Sequence, residues 1–109
     1  MEKDFETVIL LDTYAPLLTE KQQRLCDMYY NQDYSLAEIA DIEKTSRQAA
    51  RDGIAKARQK LRHYESCLNV CKKRGETARA IETLQDTHGG EAMQAMRKIA
   101  DIWEIDNGV

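Results

Sequence analysis

The sequence predicts an all-α fold built around a helix-turn-helix, and three observations predict it. Only one proline and five glycines punctuate the 109 residues, and no run between turn signals alternates as a strand would. Apolar residues recur instead every three or four positions. Two capping boxes, Thr19-Glu20-Lys21-Gln22 and Ser35-Leu36-Ala37-Glu38, each open such a stretch, the hydroxyl accepting an early amide and the third side chain reaching back.

The first helix carries Phe5, Val8, Ile9, Leu11 and Asp12, and stops near Tyr14-Ala15 because the residue before Pro16 is pushed out of the α region. The second follows Thr19, with Leu25, Cys26, Met28 and Tyr29 inward, and ends at Asn31-Gln32-Asp33. A short third helix places Leu36, Ile39 and Ala40 inward. Residues 41–44 form a turn, and Thr45 and Ser46 both offer a cap for the fourth helix. Gly53 is the only breaker in that helix, at a cost of about 1 kcal/mol. Ala50, Ile54, Ala57, Leu61, Tyr64, Leu68 and Cys71 then recur as one seam over roughly six turns, suited to packing against another helix of this chain or of a second copy. The tail reads as a weaker helix over 77–87, a stop at Gly89-Gly90, and a last helix over 91–105 with Met93, Met96, Ile99, Ala100 and Trp103 on one side. The expected division is a helix-turn-helix core with its seam helix over 1–72 and a helical extension over 73–109.

The net charge of −3 conceals segregation. Residues 1–43 sum to −7, residues 44–80 to +8 and residues 81–109 to −4. The basic middle coincides with the helix-turn-helix, so a cationic surface is expected on an acidic molecule. Arg47, Gln48 and Arg51 fall near the start of the second motif helix, away from its core, where arginine can address guanine and glutamine adenine. Lys56, Arg58, Lys60 and Arg62 extend that surface toward phosphates, a task blind to base sequence. Asp52 and Gly53 count against tight binding there, the acid by repelling phosphate and the glycine by softening the helix. Helix-turn-helix shapes also serve as structural corners, and exposed Arg and Lys are often only solubilising, so a protein–protein adaptor stays open.

Other chemistry finds little support. His63 and His88 stand 25 residues apart, and Cys67 and Cys71 lie one turn apart without a third or fourth ligand, so no metal or cofactor is expected. Asp101 and Glu104 read as a solvated pair. No phosphate loop or nucleophile triad occurs, and no enzymatic activity or catalytic residue is expected. Tyr29, Tyr30 and Tyr34 read as core residues with hydroxyls near the surface. The longest apolar run, Val8 to Leu11, is far short of the roughly 20 residues that span a bilayer, so no membrane insertion is expected. An acidic start without a signal-peptide pattern and three cysteines, an odd number, fit free thiols and a cytoplasmic setting. A chain this short hides only about two-thirds of its extended surface, which favours a partner subunit.

The stretch LLTEKQQRLCDMYYNQDYSLAEIADIEKTSRQAARDGIAKARQKLRHYE closely resembles the YlxM family, small bacterial proteins similar to the fourth region of sigma-70 factors. The resemblance rests on Leu18 to Gln22, Tyr29-Tyr30, Asp33 to Leu36, Glu38 to Ala40, Ser46 to Ala49, Leu61 and Tyr64-Glu65, in order and spacing, within residues 5–72. It implies a sigma-region-4-like bundle, a homodimer and no enzymatic activity. Family members are commonly encoded beside the signal recognition particle GTPase and its receptor, so an accessory or regulatory role in that targeting pathway is implied, with the particle's RNA, the GTPase or the receptor as partner. The runner-up is a transcription regulator that binds DNA. By position, Arg47, Gln48 and Arg51 match the exposed face of the family's second motif helix, and Leu61, Tyr64 and Leu68 are the expected dimer seam. The chain departs from the family at Glu43, Thr45 and Ala50, where larger or apolar residues are usual. Either Ile42 takes the buried role there or the turn packs less tightly, at about 1 kcal/mol per lost pair of methylenes.

Overall fold

The computed structural model describes residues 4–85 and 90–104, helical almost throughout, with no strand among them. The elements are α1 (Phe5–Tyr14), a single 3-10 turn (Ala15–Leu17), α2 (Glu20–Cys26), which runs on into a wider π turn (Asp27–Asn31), α3 (Leu36–Glu43), α4 (Arg47–Leu68), α5 (Val70–Gln85) and α6 (Gly90–Ile102). Two compact units divide between Leu68 and Asn69.

Local chemistry sets most boundaries of the first unit. Asp4 caps α1, its Oδ1 accepting the Thr7 amide at 2.6 Å. Pro16 sits at the front of the 3-10 turn, where its missing N–H costs nothing. Both capping boxes are closed: Thr19 with Gln22, and Ser35 with Glu38, each through two bonds of 3.1 Å. Of the two possible caps for α4, Ser46 serves, its Oγ accepting the Ala49 amide at 3.0 Å. The π turn is not evident from the apolar period. It turns Met28 and Tyr29 into the core and half-buries Tyr30, three successive side chains that a regular α turn cannot all point inward. Asp27 gathers the amides of Asn31 and Gln32 at 2.9 and 2.6 Å and so closes the segment, and Asp33 follows in the left-handed region at φ 59°.

The core of this unit joins all four of its helices. Leu25, Met28, Tyr29, Ile39, Ala50 and Ile54 form one buried cluster, with Tyr30, Tyr34 and Leu36 against it. Leu10, Leu11, Tyr14, Ala57 and Leu61 are buried as well. Ile42 is 54% exposed and Glu43 pairs with Arg24 at 3.0 Å, so the turn after α3 is closed by an ion pair rather than by a buried apolar residue. Lys44 takes the left-handed conformation at φ 55° that ends α3. The tyrosine expectation is corrected at Tyr30, whose hydroxyl is buried; desolvation pushes it up to about 12.

The seam helix is shorter than its period suggests. Asn69 adopts φ 55° and ends α4 at Leu68, so Cys71 belongs to α5, and the expected boundary at 72/73 falls inside α5. In the second unit, α5 packs against α6 through buried Ala80, Ala95 and Ala100. Trp103 Nε1 donates to Thr77 Oγ1, and Lys73 Nζ lies 5.9 Å from the Trp103 ring centre. Met93 and Met96, expected in the last helix's apolar stripe, are 68% and 63% exposed, and the small Ala95 and Ala100 are the residues of α6 that are buried. Gly90 opens α6 instead of closing a helix. Thr87, His88, Gly89 and Ile105 lie outside the described residues.

Charge fastens α1 to α4. Arg58 donates to Oδ2 of Asp4 at 2.9 Å, and hydrogen bonding to Thr7, with Arg58 and Arg62 nearby, holds the Asp4 carboxyl below its usual range. A carboxyl lowered by folding adds stability above its unfolded pKa, and this is lost as pH falls through the folded one. Asp4→Asn keeps a good N-cap but removes the charge. The variant is expected to be less stable than the wild type at neutral pH and equal to it once the pH is well below the carboxylate range. Urea titrations at both pH values check this; a gap that persists in acid would show that the charge is not its source.

Candidate nucleic-acid interface

The motif consists of α3, the turn through Lys44, and the first turns of α4. Ile39, fully buried, meets Ala50 and Ile54 in the core, and this contact fixes the angle at which α4 leaves the turn. Arg47, Gln48 and Arg51 consequently stand on the exposed side, as expected. Gln48 is not free: its Nε2 donates to Oδ1 of Asp52 at 2.9 Å, one turn further on. The acid within this helix therefore occupies the glutamine amide as well as opposing phosphate.

The remaining basic residues do not form the single strip that their spacing suggests. At about 100° per residue, Arg47, Arg51 and Arg62 fall on one flank of α4, while Lys56 and Lys60 fall on nearly the opposite flank with His63. Arg62, Lys56 and Lys60 are exposed. Arg58 is lost to the surface, since Asp4 holds its guanidinium against α1. Lys60 is directed by Gln22, whose Oε1 accepts from its Nζ at 3.2 Å. Asp4, the N-cap of a helix 54 residues away, gave no signal for this pairing in the sequence around Arg58.

Burial divides the residues of the expected dimer seam. Leu61 is fully enclosed within the chain, and Tyr64 donates its hydroxyl to the Leu17 carbonyl at 3.2 Å, its ring 6.0 Å from that of Tyr14. Tyr14 in turn donates to Glu65. Tyr64 is only half-buried and Leu68 is 48% exposed, so these two remain open to a second copy.

Comparison with known proteins agrees with this geometry. The family described as "Putative helix-turn-helix protein, YlxM / p13 like" matches residues 1–102. The chain belongs to this family. A UPF0122 protein of Clostridium kluyveri is 51% identical over 74 residues, covering 68% of this chain and 67% of that one. One from Clostridium perfringens is 48% identical over 84 residues (77% and 75%), and one from Caldanaerobacter subterraneus subsp. tengcongensis is 42% identical over 87 (79% and 74%).

Among the described residues no three His, Cys, Asp or Glu side chains group as metal ligands, and no helix is long and apolar enough to cross a membrane. Cys26 is fully buried, and desolvation pushes its thiol up to about 11, which keeps it protonated and unreactive. Cys67 is exposed, with Sγ 3.7 Å from His63 Nε2.

Proposed function

We propose that this protein is a non-enzymatic, cytoplasmic regulator that binds nucleic acid through the exposed start of α4. The observation that carries the reading is the pair Arg47 and Arg51, one turn apart and exposed on the flank of α4 that leaves the helix-turn-helix core. Their guanidinium groups offer paired donors suited to guanine edges, and Arg62 continues the same flank for a phosphate. A role in the signal recognition particle pathway is what the family resemblance implies for such a regulator, so the particle's RNA is the first ligand to test and duplex DNA the second. The resemblance also implies a homodimer, with Leu68 the most exposed residue of the expected seam.

Fluorescence anisotropy against that RNA and against a panel of duplex DNA, at near-physiological salt, tests the reading. Arg47→Ala and Arg51→Ala are each expected to weaken binding by about 1–3 kcal/mol and to blur the preference between sequences, whereas Arg62→Ala weakens all ligands alike. A folded wild type that binds neither class of ligand overturns the reading in favour of an adaptor between proteins. Equal losses on every sequence for Arg47→Ala and Arg51→Ala reduce the surface to phosphate binding.

A further inference from the structure

Between α2 and the middle of α4 runs an open groove of about 550 Å³, lined by Gln22, Lys56, Gln59, Lys60, His63 and Tyr64. No acidic side chain lines it. Three of its members are held in position. Gln22 Oε1 accepts both the Thr19 amide, at 3.1 Å, and the Lys60 ammonium, at 3.2 Å, so the capping box of α2 also aims Lys60. Tyr64 is anchored through its hydroxyl to Leu17 and stands beside Tyr14. The exposed wall is mainly apolar, which for this lining means lysine methylenes and ring carbons.

We propose that this groove takes one unpaired nucleotide of a nucleic acid whose paired portion lies on the Arg47 surface. A phosphate alone has no use for an apolar wall, and a base alone has no use for two ammonium groups. A nucleotide uses both: its base lies against the carbon wall beside Tyr64 and His63, and its phosphate meets Lys56 and Lys60, one helical turn or about 6 Å apart along α4. The Gln59 amide supplies a donor and an acceptor for the base edge, and Gln22 Nε2 a further donor. A duplex cannot fill the groove, because its bases are stacked on one another and present only their edges, leaving no base face free to lie against the wall. The groove and the Arg47 flank lie on nearly opposite sides of α4, so a straight duplex seated on one does not reach the other, whereas a strand leaving the duplex can pass round the helix. The paired portion of this ligand rests on the function proposed above; the groove itself does not.

Two measurements on the full chain separate these claims. In the first, amide shifts are followed by NMR during titration with an unpaired tetranucleotide and, separately, with inorganic phosphate. The tetranucleotide is expected to move the signals of Lys56, Gln59, Lys60 and His63, and phosphate alone to leave them nearly unmoved. In the second, anisotropy compares a blunt hairpin with the same hairpin carrying a single-stranded overhang. The overhang is expected to tighten binding roughly tenfold, in line with one stacked base. The double variant Lys56→Gln/Lys60→Gln should abolish that gain while leaving blunt-hairpin affinity near that of the wild type. Equal affinity for the two hairpins with unmoved groove signals overturns the proposal and leaves the Arg47 reading standing. Shifts reproduced by phosphate alone overturn it in favour of a plain anion site. Groove shifts with the tetranucleotide but no hairpin binding uphold the groove and remove the reading built on Arg47.

Discussion

Leu61→Glu is expected to abolish the cooperative thermal unfolding of residues 4–68. Leu61 is fully buried on the face of α4 that also carries Ile54 and Ala57. Losing the leucine forfeits about 1.5–3 kcal/mol of apolar burial. Placing a carboxylate there without a partner costs several kcal/mol more, or forces it to bind a proton against neutral solvent. A small domain has roughly 5–15 kcal/mol in total, and one of this size lies toward the lower end. Far-UV circular dichroism against temperature checks the outcome. Leu68→Glu is the matched control, since it puts the same charge on the same helix at a residue 48% exposed. That variant should melt within a few degrees of the wild type, and light scattering on it then tests whether the open end of the seam carries a dimer. A folded Leu61→Glu variant with a wild-type melting temperature would return Leu61 to the seam and remove it from the core.

The contrast between these two leucines shows where sequence reading succeeds and where it stops. Both recur on the same apolar period, which marks Ala50 and Ile54 as apolar-face residues just as it marks Ile39 in the helix before. All three are buried in one core, because three- and four-residue spacing is a local property. It does not tell an internal partner from an external one. Leu61 is covered by this chain and Leu68 is not, a difference that depends on α4 ending at Asn69. Asparagine is a known left-handed stop, yet Cys71 extended the period past it. The capping boxes were legible because every atom involved lies within four residues.

The site divided along the same line. Arg47 and Arg51 were legible as exposed because the core face of α4 was. Arg58 was not, since its position is at the edge of that face and its partner, Asp4, is 54 residues away. The groove was missed for the same reason. Lys56, Lys60, His63 and Tyr64 all lie on α4 and line a groove only where Gln22 of α2 meets them, 38 residues from Lys60.

Gly53→Val is the second substitution expected to have a large effect, and it reverses the local reading of that glycine. Inside a helix, glycine costs about 1 kcal/mol relative to alanine, so replacement should be favourable if only α4 mattered. A Cβ at Gly53 would lie 2.6 Å from Cδ1 of Leu25, closer than real carbon atoms approach. Leu25 is itself 2% exposed in the central cluster, so its side chain has little room to withdraw. Overpacking of this kind costs about 1–3 kcal/mol. Gly53→Ala is therefore expected to lose most or all of its helical gain, and Gly53→Val, with two further carbons and a stiff side chain, to lose about 3 kcal/mol. Urea unfolding with an unchanged slope measures both. Leu25→Ala supplies the decisive comparison, because a shortened side chain makes room for the new Cβ. In that background Gly53→Ala should cost less than in the wild type, a coupling of about 0.5–3 kcal/mol. Additive effects, or a Gly53→Ala variant about 1 kcal/mol more stable than the wild type, would mean that the glycine is only a weakness of the helix. The predicted coupling instead makes Gly53 the residue that lets α4 lie close against α2, the approach that brings Lys60 to Gln22.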